Sequence, residues 1–388
     1  MSDATQRALR AVDGAASGLV ATLRRWVEIN SFTGNLEGVN RMGAQLEEDF
    51  APLGMTVERR PGEGVGDHLI WRTPAWGPGG VLLVGHHDTV FPPGTFERFE
   101  EAEDRVRGPG VLDMKGGLLV VRTALAALAE AGALDGMRIA VVSVADEEIG
   151  SPTSRALIEE LARGARAGLV FEAGRVDDSV VTRRKGTGAL TVTARGLAAH
   201  AGNAHADGVN AIWALARLID RMQRLTDYDR GVTVNVGTIK GGEAKNTVPP
   251  LAECRADFRF IRAPDGLELV AAVDRAAREI AADSKATVTI TGGVSRLPLE
   301  RTAASAELAA LYAERAQRHG LGGGECPLVG GGSDANTVSA IGVPAIDGLG
   351  PRGRGFHTPN EYIEPATLAP RAKALVETLV ALQLDADV

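Results

Sequence analysis

Cysteine is scarce in this 388-residue chain, which contains only Cys254 and Cys326. Two thiols are too few for a disulfide framework or a cysteine-based zinc site, so any metal must be held by nitrogen and oxygen ligands. No window reaches the roughly 18 consecutive apolar residues of a membrane-spanning helix. The segment Met1–Arg25 lacks the apolar core of a signal peptide. We therefore expect a cytoplasmic protein with no membrane partner.

Blocks of basic residues are also missing. Lys and Arg total 42 against 50 Asp and Glu, which gives a formal net charge of −8. Because a nucleic acid or an anionic membrane is bound through clustered positive charge, neither is an expected partner. The hydrophobic share of 44% is ordinary for a globular protein, and the length allows two domains.

The first half of the chain alternates between strand-like and helix-like patterns. The strand-like runs lie at about residues 68–71, 81–87, 138–144 and 168–171. Between them lie amphipathic segments such as 117–128, and this rhythm predicts an α/β domain with a mostly parallel sheet. Ligands bind at the carboxyl ends of strands in such sheets. His86, Glu147 and Glu172 all follow strand ends.

The pattern changes near Arg184. Residues 185–294 follow the order strand, helix, strand, strand, helix, strand, which predicts an inserted ferredoxin-like (α+β) unit. Its first helix, residues 207–222, is amphipathic, with Ile212 and Trp213 on its apolar stripe. The α/β rhythm resumes at about residue 295. The sequence thus predicts one domain from residues 1–184 and 295–388 and a second domain from residues 185–294.

Histidine and carboxylate side chains cluster at the ends of these runs. In the motif GHHDTV, His86 and Asp88 point to the same side because side chains alternate along a strand, whereas His87 points to the other. That geometry lets an imidazole bind a metal while the carboxylate holds its surroundings in place. His87 is discounted as a ligand.

Further carboxylates and a histidine follow later in the chain. Asp113 stands at a glycine-rich helix entry, where on its own it is more typical of a helix cap. The three acids 146–148 end a core strand and would repel one another unless a cation or solvent neutralised them. Glu172 and His357 complete a nitrogen and oxygen donor set that suits a di-zinc centre, with one Glu to spare.

Seven motifs occur in a fixed order along the chain: GHHDTV, GPGVLDMKGG, ADEEIGS, FEAG, AAHAG, NTVPPLAECRADFR and GGGSDA…GFHTP. Through them, over about residues 15–385, the sequence resembles the M20 metallopeptidases and among these the glutamate carboxypeptidases. The resemblance implies a zinc-dependent hydrolase. It also implies that the first domain is catalytic and that the inserted domain is a lid and dimerisation domain.

The same resemblance implies a metal centre with two Zn²⁺ ions, for which Co²⁺ or Mn²⁺ could substitute. Asp113 would bridge the two ions. His86 and Glu172 would hold one ion, and Glu148 and His357 the other.

Catalytic roles also follow from the resemblance. Glu147 would be the general base, and Asp88 would orient His86. His200 is similar to a family histidine that reaches the active site of the partner subunit and stabilises the oxyanion. From the residues alone, His200 could equally be a turn histidine. The resemblance further implies a cis peptide bond between Asp113 and Met114.

Substrate-binding residues are implied in two regions. Asn246 and Arg259 match positions that bind a substrate carboxylate, for which the guanidinium fork is well suited. On residue type alone, Arg259 would instead form an ion pair on the strand surface. Gly331, Gly332 and Ser333 resemble a loop that offers backbone N–H groups to the substrate.

Three functions stay open at this point. The favoured one is cleavage of an amide or peptide bond next to a free carboxylate, as in glutamate carboxypeptidases. The second is deacylation of N-acyl amino acids, as in acetylornithine deacetylase or succinyl-diaminopimelate desuccinylase. The third is a catalytically dead binding protein on the same fold, which loss of the base or of a ligand would favour. The expected partners are a small peptide or N-acyl amino acid and a second copy of the chain, in a homodimer formed through the inserted domain.

Overall fold

The computed structural model describes residues 2–384. The helices are α1 (Asp3–Ala15), α2 (Leu19–Val27), α3 (Leu36–Phe50), α4 (Lys115–Glu130), α5 (Arg155–Ala162), α6 (Ala211–Gln223), α7 (Ala263–Ser284), α8 (Ala303–Arg318), α9 (Asp334–Ala340) and α10 (Leu368–Leu384). The strands are β1 (Thr56–Arg60), β2 (His68–Arg72), β3 (Val81–His86), β4 (Glu100–Glu101), β5 (Val106–Arg107), β6 (Ile139–Val144), β7 (Ala167–Val170), β8 (Gly186–Arg195), β9 (Thr233–Gly241), β10 (Leu251–Phe260), β11 (Thr287–Arg296), β12 (Ala345–Ile346), β13 (Gly353–Arg354) and β14 (Tyr362–Ile363).

The chain forms two compact units. The main unit contains the chain up to Arg183, Arg301–Leu328 and the chain from Ser333 onwards. The inserted unit contains Arg184–Glu300 and Val329–Gly332. The sequence pattern placed the end of the inserted domain at residue 294. In the structure this boundary lies further along the chain, after Glu300. The reason is that β11 continues to pair with β8 as far as Arg296, which lies opposite Thr187.

A six-stranded sheet in the order β1-β2-β6-β3-β7-β12 forms the centre of the main unit. β3 runs parallel to both β6 and β7, and β12 runs parallel to β7, whereas β1 and β2 are antiparallel additions at one edge. Every residue of β3, β6 and β7 is buried. The prediction of an α/β fold with a mostly parallel sheet is confirmed.

The carboxyl ends of β3, β6 and β7 lie side by side because these strands are parallel neighbours. β3 ends at His86, and the segments that follow β6 and β7 bring Glu147 and Glu172 to the same edge. Helix α4 begins close to this edge. A Cβ atom on Gly117 would lie 2.0 Å from the carbonyl oxygen of Phe171, so only glycine lets the helix start approach the end of β7 so closely.

A small antiparallel sheet in the order β13-β14-β5-β4 brings the C-terminal part of the chain to the same region. Tyr362 and Ile363 of β14 pair with Arg107 and Val106 of β5. Because β5 leads into the loop before α4, this pairing anchors the segment that contains His357 beside the segment that contains Asp113.

The inserted unit is a four-stranded sheet in the order β11-β8-β10-β9, in which every pairing is antiparallel. Together with α6 and α7, which share an apolar core with it, this is the predicted ferredoxin-like arrangement. Helix α6 begins later than the pattern indicated, because the Asn210 side chain accepts a hydrogen bond from the Trp213 N–H and caps it.

The buried side of α6 is not the stripe noted in the sequence. The buried residues are Ala211, Ala214, Leu215, Leu218 and Met222. Ile212 and Trp213 are exposed instead, and Trp213 retains 52% of its accessible surface. The helix therefore has two apolar sides, one of which is covered by its own unit.

No helix within residues 2–384 combines the length and the apolar character that crossing a membrane requires.

Candidate metal centre

The five predicted ligands come together around the carboxylate of Asp113. Its Oδ1 lies 3.2 Å from Nε2 of His86, and its Oδ2 lies 3.2 Å from Nε2 of His357. Each histidine also faces a second carboxylate. Oε2 of Glu172 is 3.8 Å from His86 Nε2, and Oε2 of Glu148 is 3.0 Å from His357 Nε2. Asp113 thus stands between two similar groups of donors.

The two groups differ in their access to solvent. The His86 side chain is only 1% exposed, whereas the His357 side chain is 51% exposed. His86 belongs to a central strand, while His357 lies in the loop between β13 and β14 with a left-handed backbone conformation, φ 61°.

Protons neutralise this cluster of carboxylates when no cation does. Burial and the neighbouring Asp113 raise the pKa of Glu172 to about 8, and burial also raises the pKa of Glu148. Hydrogen bonds to Asp113 and Glu148 raise the pKa of His357 to about 10. Burial opposes ionisation of Asp113, but the hydrogen bonds from His357 and His86 lower its pKa well below the ordinary value. The negative charge of these clustered carboxylates must therefore be offset by bound cations or by protons.

The donors fit metal ions on their chemistry and on their spacing. One ligand atom from each of His86, Asp113 and Glu148 lies within 4.8 Å of the others, and the same holds for His86, Glu147 and Glu172. Oε1 of Glu148 is buried and has no hydrogen-bond partner within residues 2–384. Imidazole nitrogens with carboxylate oxygens suit Zn²⁺ and similar first-row cations.

Asp88 organises the centre from behind. His86 Nδ1 lies 3.1 Å from the backbone oxygen and 3.3 Å from Oδ1 of Asp88, which turns His86 Nε2 towards Asp113. The Asp88 carboxylate also accepts the backbone N–H groups of Glu147 and Glu148, both at 3.3 Å. One buried carboxylate thus positions three residues of the centre.

Two residues beside the ligands point away from the cluster. His87 is buried and its Nδ1 hydrogen-bonds Oγ of Ser143 at 2.9 Å, while burial lowers its pKa to about 3. Asp146 accepts hydrogen bonds from Thr153 and Ser154 and so holds the turn before α5. Of the acids 146–148, only the last two therefore contribute to the cluster.

Sequence reasoning missed Glu361, which is fully buried beneath the loop that carries Asp113. Its carboxylate accepts the backbone N–H groups of Gly110, Leu112 and Asp113 at 3.2, 2.8 and 3.0 Å. Burial raises its pKa to about 8. Glu361 lies four residues after His357 in GFHTPNEY, but one acid in a polar loop carries no signal that distinguishes it from a solvated one.

The same loop is held from its other end by Lys115, another residue that the sequence did not single out. Its Nζ is buried and donates to the backbone oxygens of Trp26 and Ile29 at 3.0 and 2.9 Å. The Asp113–Met114 peptide bond between these anchors is cis, as the resemblance predicted.

The inserted unit brings His200 and Asn246 close together, because Ala201 N–H donates to the backbone oxygen of Asn246 at 2.9 Å. Both residues are exposed. Nδ1 of His200 accepts the backbone N–H groups of Gly202 and Asn203, both at 3.1 Å. Since Nδ1 is the acceptor, the proton of a neutral His200 lies on Nε2, which is then free to act as a donor.

Arg259 forms an ion pair along its own strand. Its Nε and Nη2 donate to the two carboxylate oxygens of Asp257 at 2.8 and 2.7 Å. This is the surface ion pair that the residue type alone suggested. A substrate carboxylate would compete with Asp257 for the same fork.

The predicted backbone loop is divided between the units. Gly332 belongs to the inserted unit, as does Gly331, whose carbonyl oxygen accepts from Arg184 at 3.2 Å. Ser333 begins the next segment of the main unit and caps α9. Its N–H donates to Oδ1 of Asn336 at 3.0 Å, so this group is already used within the protein.

Comparison with known proteins agrees with this architecture. The chain matches peptidase family M20/M25/M40 over residues 82–381. It is 32% identical to carboxypeptidase G2 of Pseudomonas sp. (strain RS-16) over 363 residues, which cover 91% of this chain and 86% of the relative. It is 28% identical to a succinyl-diaminopimelate desuccinylase of Sphingopyxis alaskensis over 328 residues, with 78% and 82% coverage.

A solved structure supports the same assignment. The aminopeptidase PepT of Bacillus cereus superposes with a TM-score of 0.78 at 25% sequence identity, and the match covers 95% of this chain and 98% of that one. The fold and the paired donor groups define a metallohydrolase. The chain belongs to the M20 peptidase family, as the motifs predicted.

Proposed function

We propose that the chain is a di-zinc hydrolase that cleaves the amide bond next to a free carboxylate, as a glutamate carboxypeptidase-like exopeptidase. The observation that carries the proposal is the position of Asp113, whose two oxygens each face a different histidine at 3.2 Å. We assign His86 and Glu172 to one ion and Glu148 and His357 to the other, with Asp113 as the bridge.

Zn²⁺ at these positions would polarise the scissile carbonyl and lower the pKa of bound water. The protein supplies the proton transfers. Glu147 is half-buried in the turn after β6, where it has an oxygen close to His86 and Glu172. We assign to it the removal of a proton from the attacking water and its delivery to the leaving amine nitrogen. Asp88 holds the Glu147 backbone and His86 in one arrangement.

We base the proposed substrate class on the similarity to carboxypeptidase G2 and on Arg259, whose cationic side chain suits a substrate carboxylate. Arg259 presents a fork that already binds one carboxylate in a bidentate manner. The similarity to the desuccinylase favours the deacylase as the second candidate. A binding protein without activity is not favoured, because Glu147 and the ligand candidates are all present.

The test is a substrate panel on the metal-loaded protein. N-acyl-glutamates and dipeptides that end in Glu should have kcat/KM values at least about tenfold above those of N-acetylornithine and N-succinyl-diaminopimelate. A preference for either of the latter would favour the deacylase. Hydrolysis of none of them by a protein with bound metal would contradict the proposal.

The metal assignment is tested separately by elemental analysis and by chelation. We expect two equivalents of Zn²⁺ per chain and loss of activity when they are removed, with recovery on addition of Zn²⁺. Asp113→Asn should lower the content of both ions because the bridge contributes to each. Loss of one ion only would overturn its role as the bridge.

We further propose a homodimer formed through the inserted unit, in which His200 acts in the active site of the partner subunit. The support is the exposed apolar side of α6, with Ile212 and Trp213, and the edge strand β9, on which Ile239 is exposed. Exposed apolar side chains beside an edge strand are the kind of surface that a two-fold interface buries. His200 offers a donor at Nε2 for an oxyanion.

A further inference from the structure

The main unit contains a cavity of about 480 Å³. Its lining includes chain neighbours of three ligand candidates. Leu112 precedes Asp113, Ala173 follows Glu172, and Phe356 precedes His357. A group bound in this cavity would therefore lie close to a bond cleaved at the metal centre. The volume is within the range that holds a small-molecule group.

The lining combines an apolar floor with two cations. Val176 and Phe356 supply exposed apolar surface. Arg175 and Arg354 also line the cavity, and neither forms an ion pair with an acid in the part of the chain that the structure describes. Nε of Arg175 is moreover buried without a hydrogen-bond partner in that part of the chain. Buried donors without partners are uncommon in folded proteins, and a ligand oxygen is one way to satisfy them.

One acid, Asp177, lines the same cavity and offsets only part of this charge. The Asp177 carboxylate accepts hydrogen bonds from the N–H and Oγ of Ser179 at 3.1 and 2.7 Å. Because two guanidinium groups face one carboxylate, the cavity keeps an excess of positive charge.

We propose that this cavity binds the acyl half of the substrate and that it selects acyl groups with an apolar body and a carboxylate at the far end. The inference rests on the proposed function. There, Arg259 is assigned the carboxylate of the leaving amino acid, so the two arginines of this cavity are left for the acyl half. The apolar body packs on Val176 and Phe356, and the distal carboxylate accepts from Arg175 and Arg354.

The test uses two substrates of the same shape that differ by one charge, N-(4-carboxybenzoyl)-L-glutamate and N-(4-carbamoylbenzoyl)-L-glutamate. In each, water adds across the amide bond and releases glutamate with terephthalate or terephthalamate. We expect kcat/KM for the charged substrate to be at least about tenfold higher, as charge-assisted hydrogen bonds give.

Variants then assign the preference to the cavity. Arg175→Met and Arg354→Met should each reduce the ratio of the two kcat/KM values several-fold, and the double variant should bring it close to one. Arg98→Met is the matched control, because Arg98 is an exposed arginine of the main unit outside this cavity, and it should leave the ratio unchanged. Arg354 is exposed, so Arg354→Met retains the fold even where Arg175→Met does not.

Equal kcat/KM values for the two substrates in the unaltered enzyme would overturn the inference while leaving the proposed function intact. If neither substrate is hydrolysed, calorimetric binding of terephthalate and terephthalamate decides. If terephthalate binds more tightly than terephthalamate and Arg354→Met abolishes this difference, the cavity binds a distal carboxylate as proposed. The absence of hydrolysis would then contradict the proposed function and not this inference. Equal binding of the two acids overturns the inference.

Discussion

The predicted functional residues of the main unit and those of the inserted unit have different surroundings. In the main unit, His86, Asp88 and Asp113 are buried and are joined through side-chain contacts. In the inserted unit, His200 and Asn246 are exposed and are positioned through backbone hydrogen bonds. One group is therefore fixed by its own fold, while the other offers free donors on a surface.

The two groups of residues therefore differ in how far they are preorganised before a substrate binds. A buried network such as that around Asp113 is set before substrate arrives, and its side chains need little reorganisation. An exposed group such as His200 is enclosed only when a substrate or another protein surface covers it. Substitutions in the two groups of residues should therefore have different effects on activity, metal content and stability.

Replacement of the proposed base should have the largest effect. Glu147→Gln should lower kcat by about 10²–10⁴-fold, because the amide keeps the volume but cannot shuttle a proton. The bound metal measured by elemental analysis should stay unchanged. Glu103→Gln, at an exposed site of the main unit, is the control. A variant that retains more than about a tenth of the wild-type rate would show that Glu147 is not the base.

His200→Ala should lower kcat by about 10²–10³-fold, the loss typical of one oxyanion donor, with little change in melting temperature because the residue is exposed. His205→Ala, at a neighbouring exposed histidine, should leave kcat near the wild-type value. Mixing Glu147→Gln subunits with His200→Ala subunits should restore one of the two sites in each mixed dimer. If proven subunit exchange restores nothing, His200 does not act across the interface.

Glu361→Gln should weaken metal binding by roughly 10–100-fold, as loss of a group that positions a ligand usually does. The Glu361 carboxylate accepts hydrogen bonds from three backbone N–H groups. In the Gln variant, at least one of these N–H groups would face the NH₂ group of the amide, which cannot accept. Competition with a chromogenic chelator measures the affinity. Glu364→Gln, which removes an acid paired with Arg352, is the control. Unchanged affinity would mean that the loop is held in place without Glu361.

The smallest expected effect distinguishes the two interpretations of Arg259. As a substrate ligand, Arg259→Gln should raise KM for an N-acyl-glutamate by roughly tenfold, whereas Asp257→Asn should not raise it. Both variants remove the same ion pair, which at the surface contributes only about 0–1 kcal/mol to stability. Equal KM values in the two variants would mean that Arg259 forms the ion pair with Asp257 but does not bind the substrate.

The sequence predicted the central strands well because their burial leaves a clear pattern. β3, β6 and β7 are continuous apolar runs that end where a histidine or acid begins, and their parallel pairing follows from the helices between them. The order of strands and helices in the inserted unit could be predicted for the same reason, because its buried residues also form a clear pattern. Elements without such a pattern were missed. Helix α1 buries only Thr5, Ala8 and Val12, and β4, β5, β13 and β14 have two residues each.

Contacts between distant segments were out of reach of pattern reasoning. The two apolar sides of α6 look alike in sequence, and only the packing of its unit decides that Leu215 is buried and Trp213 is not. Glu361 is a similar case, since its partners lie some 250 positions earlier in the chain. The ligand candidates, by contrast, were selected through the order of seven motifs, which carries information that no single residue does.

The unequal exposure of the two histidines bears on how the protein acquires and keeps its metal. An ion held by His86 would be enclosed by a central strand, whereas an ion held by His357 would face solvent through a loop. The two positions would then exchange with surrounding ions at different rates, and the chain would pass through a half-loaded state on the way in and out. The outer position would follow the metal supply of its surroundings, while the inner one would retain the ion that it first received.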